Sequence, residues 1–148
     1  MVFDANGHIT KPLQPAFLVQ ASTQNNTSNG TTLPFGTEIF DQNGDFASNA
    51  FTAPVTGRYH LSFSLRLTDL DTAASYIIAR METSNRNLDT IIDVNEFTSD
   101  VEYYTANYSM LMDMDANDTA SVVYVQSGGA AQTDIDPNHS LFSGYLVC

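Results

Sequence analysis

The amino-acid sequence predicts an all-β sandwich or barrel in one domain, and three observations carry that expectation. Apolar side chains recur at every second position through several segments, which is the period of a strand with one buried face. Between those segments lie stretches rich in turn formers, such as QNNTSNGTT (Gln24–Thr32) and QSGGAAQTDIDPN (Gln126–Asn138). No segment keeps a long helical period, and nothing repeats every 20 to 50 residues or so. At 148 residues the chain holds one sizeable core and is short for two.

The elements follow in chain order. Residues 1–14 read as an extended lead-in or linker, with Pro12, and Pro15 just beyond, opposing a helix. The domain proper is expected over 15–148, opening on a short strand in PAFLVQA from Pro15. The clearest strand is GRYHLSFSLRLT from Gly57, where Tyr59, Leu61, Phe63, Leu65 and Leu67 share one side. Arg58, His60, Ser62, Ser64 and Arg66 occupy the other. A shorter strand is expected in SYIIARME from Ser75. NLDTIIDVNEF (Asn87–Phe97) is assigned to another, although Leu88, Ile91, Ile92 and Asn95 also fit a helical turn. From Ala106 to Met114 Tyr108, Met110 and Met112 alternate with Asn107, Ser109 and Leu111. Asp115, Asn117 and Asp118 supply turn chemistry, and SVVYVQ (Ser121–Gln126) returns, so the pair reads as a hairpin. LFSGYLV from Leu141 closes the set.

Charge and composition narrow the function. Seventeen acidic residues against five basic ones give a formal charge of −12, which repels phosphate backbones and anionic headgroups. Nucleic-acid binding and membrane insertion are therefore not expected, and no apolar run approaches the eighteen or so residues of a membrane span. Cys148 stands alone, so no intrachain disulfide forms. The opening MVFDANGHITKP lacks the basic start and apolar run of a secretion leader.

The segment FTAPVTGRYHLSFS (Phe51–Ser64) closely resembles the signature strand of the C1q globular-head family, with Phe51, Gly57, Tyr59 and Phe63 at the family's positions and Leu61 where an aromatic is usual. Phe35, Asp41 and Phe46 keep the family's upstream spacing, while the gap to Phe51 is shorter. PAF at Pro15–Phe17 resembles its first strand, LMDMDANDTASVVYV its glycine-aspartate hairpin, and SLFSGYLV (Ser140–Val147) its last strand. The resemblance implies a jelly-roll β-sandwich of the C1q and tumour-necrosis-factor kind, assembled as a homotrimer. In physical terms Gly57 is expected to let the backbone pass where a side chain would clash, and the aromatics to fill the sandwich. The resemblance further implies that some of Phe17, Tyr59, Phe63, Tyr124, Phe142 and Tyr145 line the threefold interface, the others belonging to the core. The lead-in FDANGHITKPLQPAF (Phe3–Phe17) is similar to the segment preceding such domains in bacteriophage tail and fibre proteins, and an ordinary linker is the other reading.

No sequence pattern announces an enzyme. His8, His60 and His139 fall in the lead-in, on a strand's polar face and in a loop, and no nucleophile elbow, zinc motif or phosphate loop is present. No cofactor is expected. Calcium is the one ion worth testing, because some members of the family bind it near the trimer apex, and Asp134 with Asp136 are the candidate ligands. Asp41 with Asp45 form another acidic pair, while Asp113, Asp115, Asn117 and Asp118 read as turn residues.

These readings lead to a non-enzymatic trimeric binding module, on a virion or outside cells, whose Asn- and Gly-rich loops contact a host-surface glycan or protein. The virion form is the tip of a tail fibre. The alternatives are a secreted signalling or recognition domain and a trimerisation cap that binds nothing.

Overall fold

The computed structural model describes residues 1–3, 5–99 and 101–148, so Asp4 of the lead-in lies outside the described residues. In the lead-in, β1 (Val2–Phe3) and β2 (Ile9–Thr10) form a small antiparallel hairpin rather than plain extended chain. The domain then runs through β3 (Ala16–Gln20), β4 (Thr31–Thr32), β5 (Thr37–Asp41), β6 (Phe46–Ala47), β7 (Ala50–Thr52), β8 (Gly57–Leu70), β9 (Ala74–Thr83), β10 (Asn87–Ile92), β11 (Val101–Met114), β12 (Thr119–Gly128), β13 (Asp134–Ile135) and β14 (Leu141–Leu146). Helix is confined to two single 3-10 turns, Val94–Glu96 and Pro137–His139, and none is long and apolar enough to cross a membrane among the described residues. The ambiguous segment from Asn87 is thus a strand that ends in one helical turn.

Two sheets make the sandwich. The first has strand order β11-β8-β14-β3-β5, with β13 added beside β8. The second has order β10-β9-β12-β7-β6, with β4 beside β12. The chain crosses repeatedly between them, which places the antiparallel strands in a jelly roll and closes one core between the inner faces.

β8 shows why the sequence adopts this form. Its inward residues Tyr59, Leu61, Phe63, Leu65 and Leu67 are all buried, and its outward residues from Arg58 to Thr68 are half-buried or exposed. The expected alternation therefore holds along the whole strand. Phe17 stacks on Phe51 and Phe46 at 4.7 and 5.3 Å between ring centres and meets Phe142 edge-on at 5.0 Å. Such packing of both sheets' aromatics adds to the ~1.5–3 kcal/mol that burying each large side chain contributes.

Two glycines mark close approaches. A Cβ at Gly144 would lie 2.5 Å from Leu61 and 2.8 Å from Phe17, so only glycine fits inward at this point of β14. A Cβ at Gly57 would lie 2.6 Å from Leu146 and 2.7 Å from the Cys148 carbonyl oxygen, which is the clash expected from the sequence.

One connection departs from expectation. β11 and β12 do not pair: β11 lies against β8 in the first sheet, while β12 lies against β9, β7 and β4 in the second. The Asp115–Asp118 turn is a corner between sheets. It is held by the Asn117 amide donating to the Ala53 carbonyl at 2.7 Å and the Ala53 amide donating to Asp118 at 2.8 Å. Residues that favour a tight turn serve a corner as well as a hairpin, because both need the left-handed backbone that Asn117 adopts at φ 74°.

Candidate functional site

Two surfaces stand out: the outward face of the first sheet and a pole built from two polar loops. The face is read in rows across its strands. One row runs Leu111, His60, Tyr145, Ala16, the next Ser109, Ser62, Ser143, Leu18, Phe40, and the third Asn107, Ser64, Leu141, Gln20. None of these residues is Asp, Glu, Lys or Arg. The uncharged patch is the centre of the face, since the rows on either side of it bring Arg58 beside Asp113 and Arg66 beside Thr105.

Small side chains hollow out its middle. Ser62, Ser64, Ser109 and Ser143 line a shallow depression of ≈ 520 Å³ with Leu18, Asn107, Tyr108 and Leu141 at its edges. The Ser62 and Ser143 hydroxyls share a hydrogen bond at 2.9 Å, and the Ser109 hydroxyl meets His60 Nε2 at 2.7 Å. The His60 ring lies against Tyr145, 5.2 Å between centres. A serine nucleophile needs a base that a third group orients. No carboxylate is hydrogen-bonded to His60 among the described residues, so this pair lacks that third group.

The sheet ends in a long free edge. The fourteen-residue β11 pairs with β8 alone among the described residues, and an unpaired edge of that length invites pairing or packing with another chain.

The loop pole joins the two Asn- and Gly-rich stretches singled out in the sequence. The Thr27 amide donates to the Thr133 carbonyl and the Ile135 amide to that of Gln24, both at 2.8 Å, while the Gln126 amide donates to Asn29 Oδ1 at 3.1 Å. A buried polar cluster fixes them from below. Gln126 Nε2 donates to Asp71 Oδ2 at 2.7 Å and to the Gly128 and Ala130 carbonyls at 2.9 and 3.0 Å. The Tyr124 hydroxyl donates to Gln126 Oε1, and the Asp71 amide donates to Thr133 Oγ1 at 3.1 Å. Burial pushes the Tyr124 phenol up to about 12, so it stays neutral there. Between the loops opens a cleft of ≈ 280 Å³ lined by Ser28, Asn29, Gln126, Gly128, Gly129 and Ala131. Its walls offer amides, hydroxyls and backbone groups and no charge.

The aromatics expected at an interface divide sharply. Phe17, Tyr59, Phe63, Tyr124 and Phe142 are closed inside the single chain at 0–3% exposure and pack in its core. Tyr145, at 47%, is the one that faces outward. Ser62, Ser64, Ser109, Ser143 and Asn107 carry no sequence signal of their own, because polar alternation is what any solvent-facing strand shows.

Asp134 and Asp136 are already engaged within the chain. Asp134 Oδ1 accepts from the Asn26 amide at 2.6 Å. Asp136 accepts from the Asn138 amide at 2.9 Å and His139 Nδ1 at 2.8 Å, with Arg66 at 3.8 Å. Partial burial pushes the Asp136 carboxyl up, but His139, the Asn138 amide and Arg66 outweigh it and hold it below its usual value. Asp41 accepts from the amides of Gly44, Asp45 and Phe46, a turn role, and Asp113 pairs with Arg86 at 2.6 Å. Within one chain, no group of three or more His, Cys, Asp or Glu is arranged to hold a metal among the described residues.

Comparison with known proteins agrees with this architecture. The globular domain of zebrafish complement 1qA superposes with a TM-score of 0.65 at 17% identity, over 90% of this chain and 98% of that one. Murine APRIL does so with a TM-score of 0.60 at 11% identity, over 90% and 99%. At such identities the likeness establishes the fold alone. No curated protein matches at the sequence level. The model of the C1q domain matches residues 16–147, all of the sandwich and none of the lead-in hairpin. Domains of this kind are typically extracellular, trimeric and generally non-enzymatic binding modules. By that match, which spans nearly the whole chain, the protein belongs to the C1q domain family.

Proposed function

We propose that three copies of this chain assemble through the outward face of the first sheet into a non-enzymatic binding module that presents its loop poles to a glycan or protein on a cell surface. The observation that carries the reading is the uncharged centre of that face. Each copy brings −12 to the assembly, so contact is cheapest where no charge must be buried or brought near a like one. The free β11 edge supplies the complementary shape, an edge to set against a neighbour's face. The loop pole suits recognition because its backbone is fixed by the Asp71–Gln126 cluster while Ser28, Asn29 and Ala131 stay exposed. Neutral hydroxyl and amide groups of this kind match the hydrogen-bonding groups of a sugar.

The similarity of Phe3–Phe17 to the lead-in of bacteriophage tail and fibre proteins supports placing the module at a fibre tip. A secreted recognition domain is the rival setting, and binding to a bacterial rather than an animal cell surface separates the two.

The test is binding of the labelled protein to a glycan array and to intact cells, with Ser28→Tyr and Ala131→Glu variants at the cleft rim. Binding is expected to fall about tenfold or more in each variant with oligomeric mass unchanged. A protein that binds no glycan and no cell, or binds equally well as either variant, refutes the reading of the pole and leaves an assembly cap. The same binding measured with calcium and with chelator tests whether Asp134 and Asp136 from several copies share an ion.

A further inference from the structure

The lead-in hairpin poses a physical problem that the sandwich does not solve. All four residues of β1 and β2 are exposed, with Val2 at 53%, Phe3 at 66% and Ile9 at 56%, and Leu13 just after them is 86% exposed. A two-stranded hairpin is marginal in water even when longer than this one. Phe3 and Ile9 are direct cross-strand partners, so their side chains stand together on one face of the hairpin. Val55 and Val147 on the domain add exposed apolar surface at the same end, around an open cleft of ≈ 750 Å³. Exposed apolar side chains gathered at one end of a molecule in this way mark surfaces that meet a partner.

Two observations indicate what covers it. The first is continuity: Ile9 lines one groove with Ala16 and Tyr145, and those two residues form an end of the first row on the uncharged sheet face. The hairpin therefore extends that face beyond the family domain. The second is charge. Residues 1–14 contain one acidic and one basic residue, Asp4 and Lys11, so the entire −12 resides in 15–148. The lead-in itself carries no net charge, so it adds no repulsion to the approach of a second acidic copy.

We infer that the hairpin is an added assembly element, whose Phe3 and Ile9 pack against a neighbouring copy of this chain beside the contact made by the sheet face. The inference rests on the trimer reading above. Its occupant is a second copy, not a small molecule, because the apolar surface is spread over a projecting hairpin and not enclosed.

The double variant Phe3→Ser with Ile9→Ser tests it in the full chain, by sedimentation over a dilution series. The variant is expected to form the wild-type oligomer at high concentration and to dissociate at about tenfold higher concentration or more, with an unchanged near-ultraviolet circular dichroism spectrum. A photo-crosslinking residue in place of Ile9 is expected to join copies to one another. If the wild type assembles and the double variant dissociates at the same concentration, or the crosslinks stay within one chain, the inference is wrong and the trimer reading stands. A wild type that is monomeric throughout removes the trimer reading itself.

Discussion

The two sheets share one core, yet their outward faces differ in kind. The second sheet carries Ile91, Ile78 and Val125 in one row and Asp89, Arg80 and Val123 in the next, with Glu82 beyond. Arg80 grips Asp89 through two hydrogen bonds at 2.7 and 3.0 Å, an exposed pair content to remain in water. The first sheet offers no charge over three rows and is hollowed by serines. Both faces show apolar side chains to solvent, Ile91 on the second and Phe40, Leu111 and Tyr145 on the first. Charge favours the first, because burying Arg80, Asp89 and Glu82 costs more than burying hydroxyls that can pair. On the proposed assembly, a strongly acidic chain marks its contact surface by missing charge before it marks it by greasiness.

Placing one charge on each face breaks or upholds this contrast. Ser143→Asp sets a carboxylate in the centre of the first face, and we expect association to weaken by about a hundredfold or more. Ile91→Asp on the second face should leave the oligomer intact. Both are read by sedimentation, and equal effects would abolish the distinction between the faces.

Two aromatic residues of β14 sharpen it next. Phe142 points into the core and Tyr145 outward, so Phe142→Ala should cost a chain about 3–5 kcal/mol in denaturant unfolding. Tyr145→Ala should change chain stability little while weakening association about tenfold. Unfolding measured in the Ser143→Asp background keeps assembly out of the comparison.

The smallest effect concerns Asp45. Burial pushes its carboxyl up, Asn43 opposes this and Asp41 adds to it, and its Oδ2 is buried without a hydrogen-bond partner. A carboxyl whose folded value exceeds its unfolded value costs stability while ionised; the cost shrinks as pH falls through the folded value and is gone below the unfolded one. Asp45→Asn should therefore raise Tm by about 1–2 °C at pH 7 and make no difference near pH 3.

Much of the fold was legible because β8 writes its burial directly into its sequence, with five apolar residues alternating with five polar ones from Arg58 to Leu67. The β11 to β12 connection was not, since Asp115, Asn117 and Asp118 specify a change of direction without naming the strand that follows as a partner. The two-residue strands β4, β6 and β13 carry too few positions to show any period. For the site the sequence says less. Period two separates the two sides of a strand but does not by itself tell a core aromatic from one that meets a partner: Phe17, Tyr59 and Phe142 lie on the inner side and Tyr145 on the outer. Ser62, Ser109 and Ser143 looked like ordinary solvent-facing residues. Their significance appears only when the registers of five strands bring them into one uncharged patch.

The central claim is assembly through that patch, and the mass of the protein by light scattering across a dilution series tests it most directly. The account predicts a species of three times the 16.2 kDa chain mass that persists to low concentration and is lost on Ser143→Asp. A wild-type species of 16.2 kDa at every concentration contradicts it.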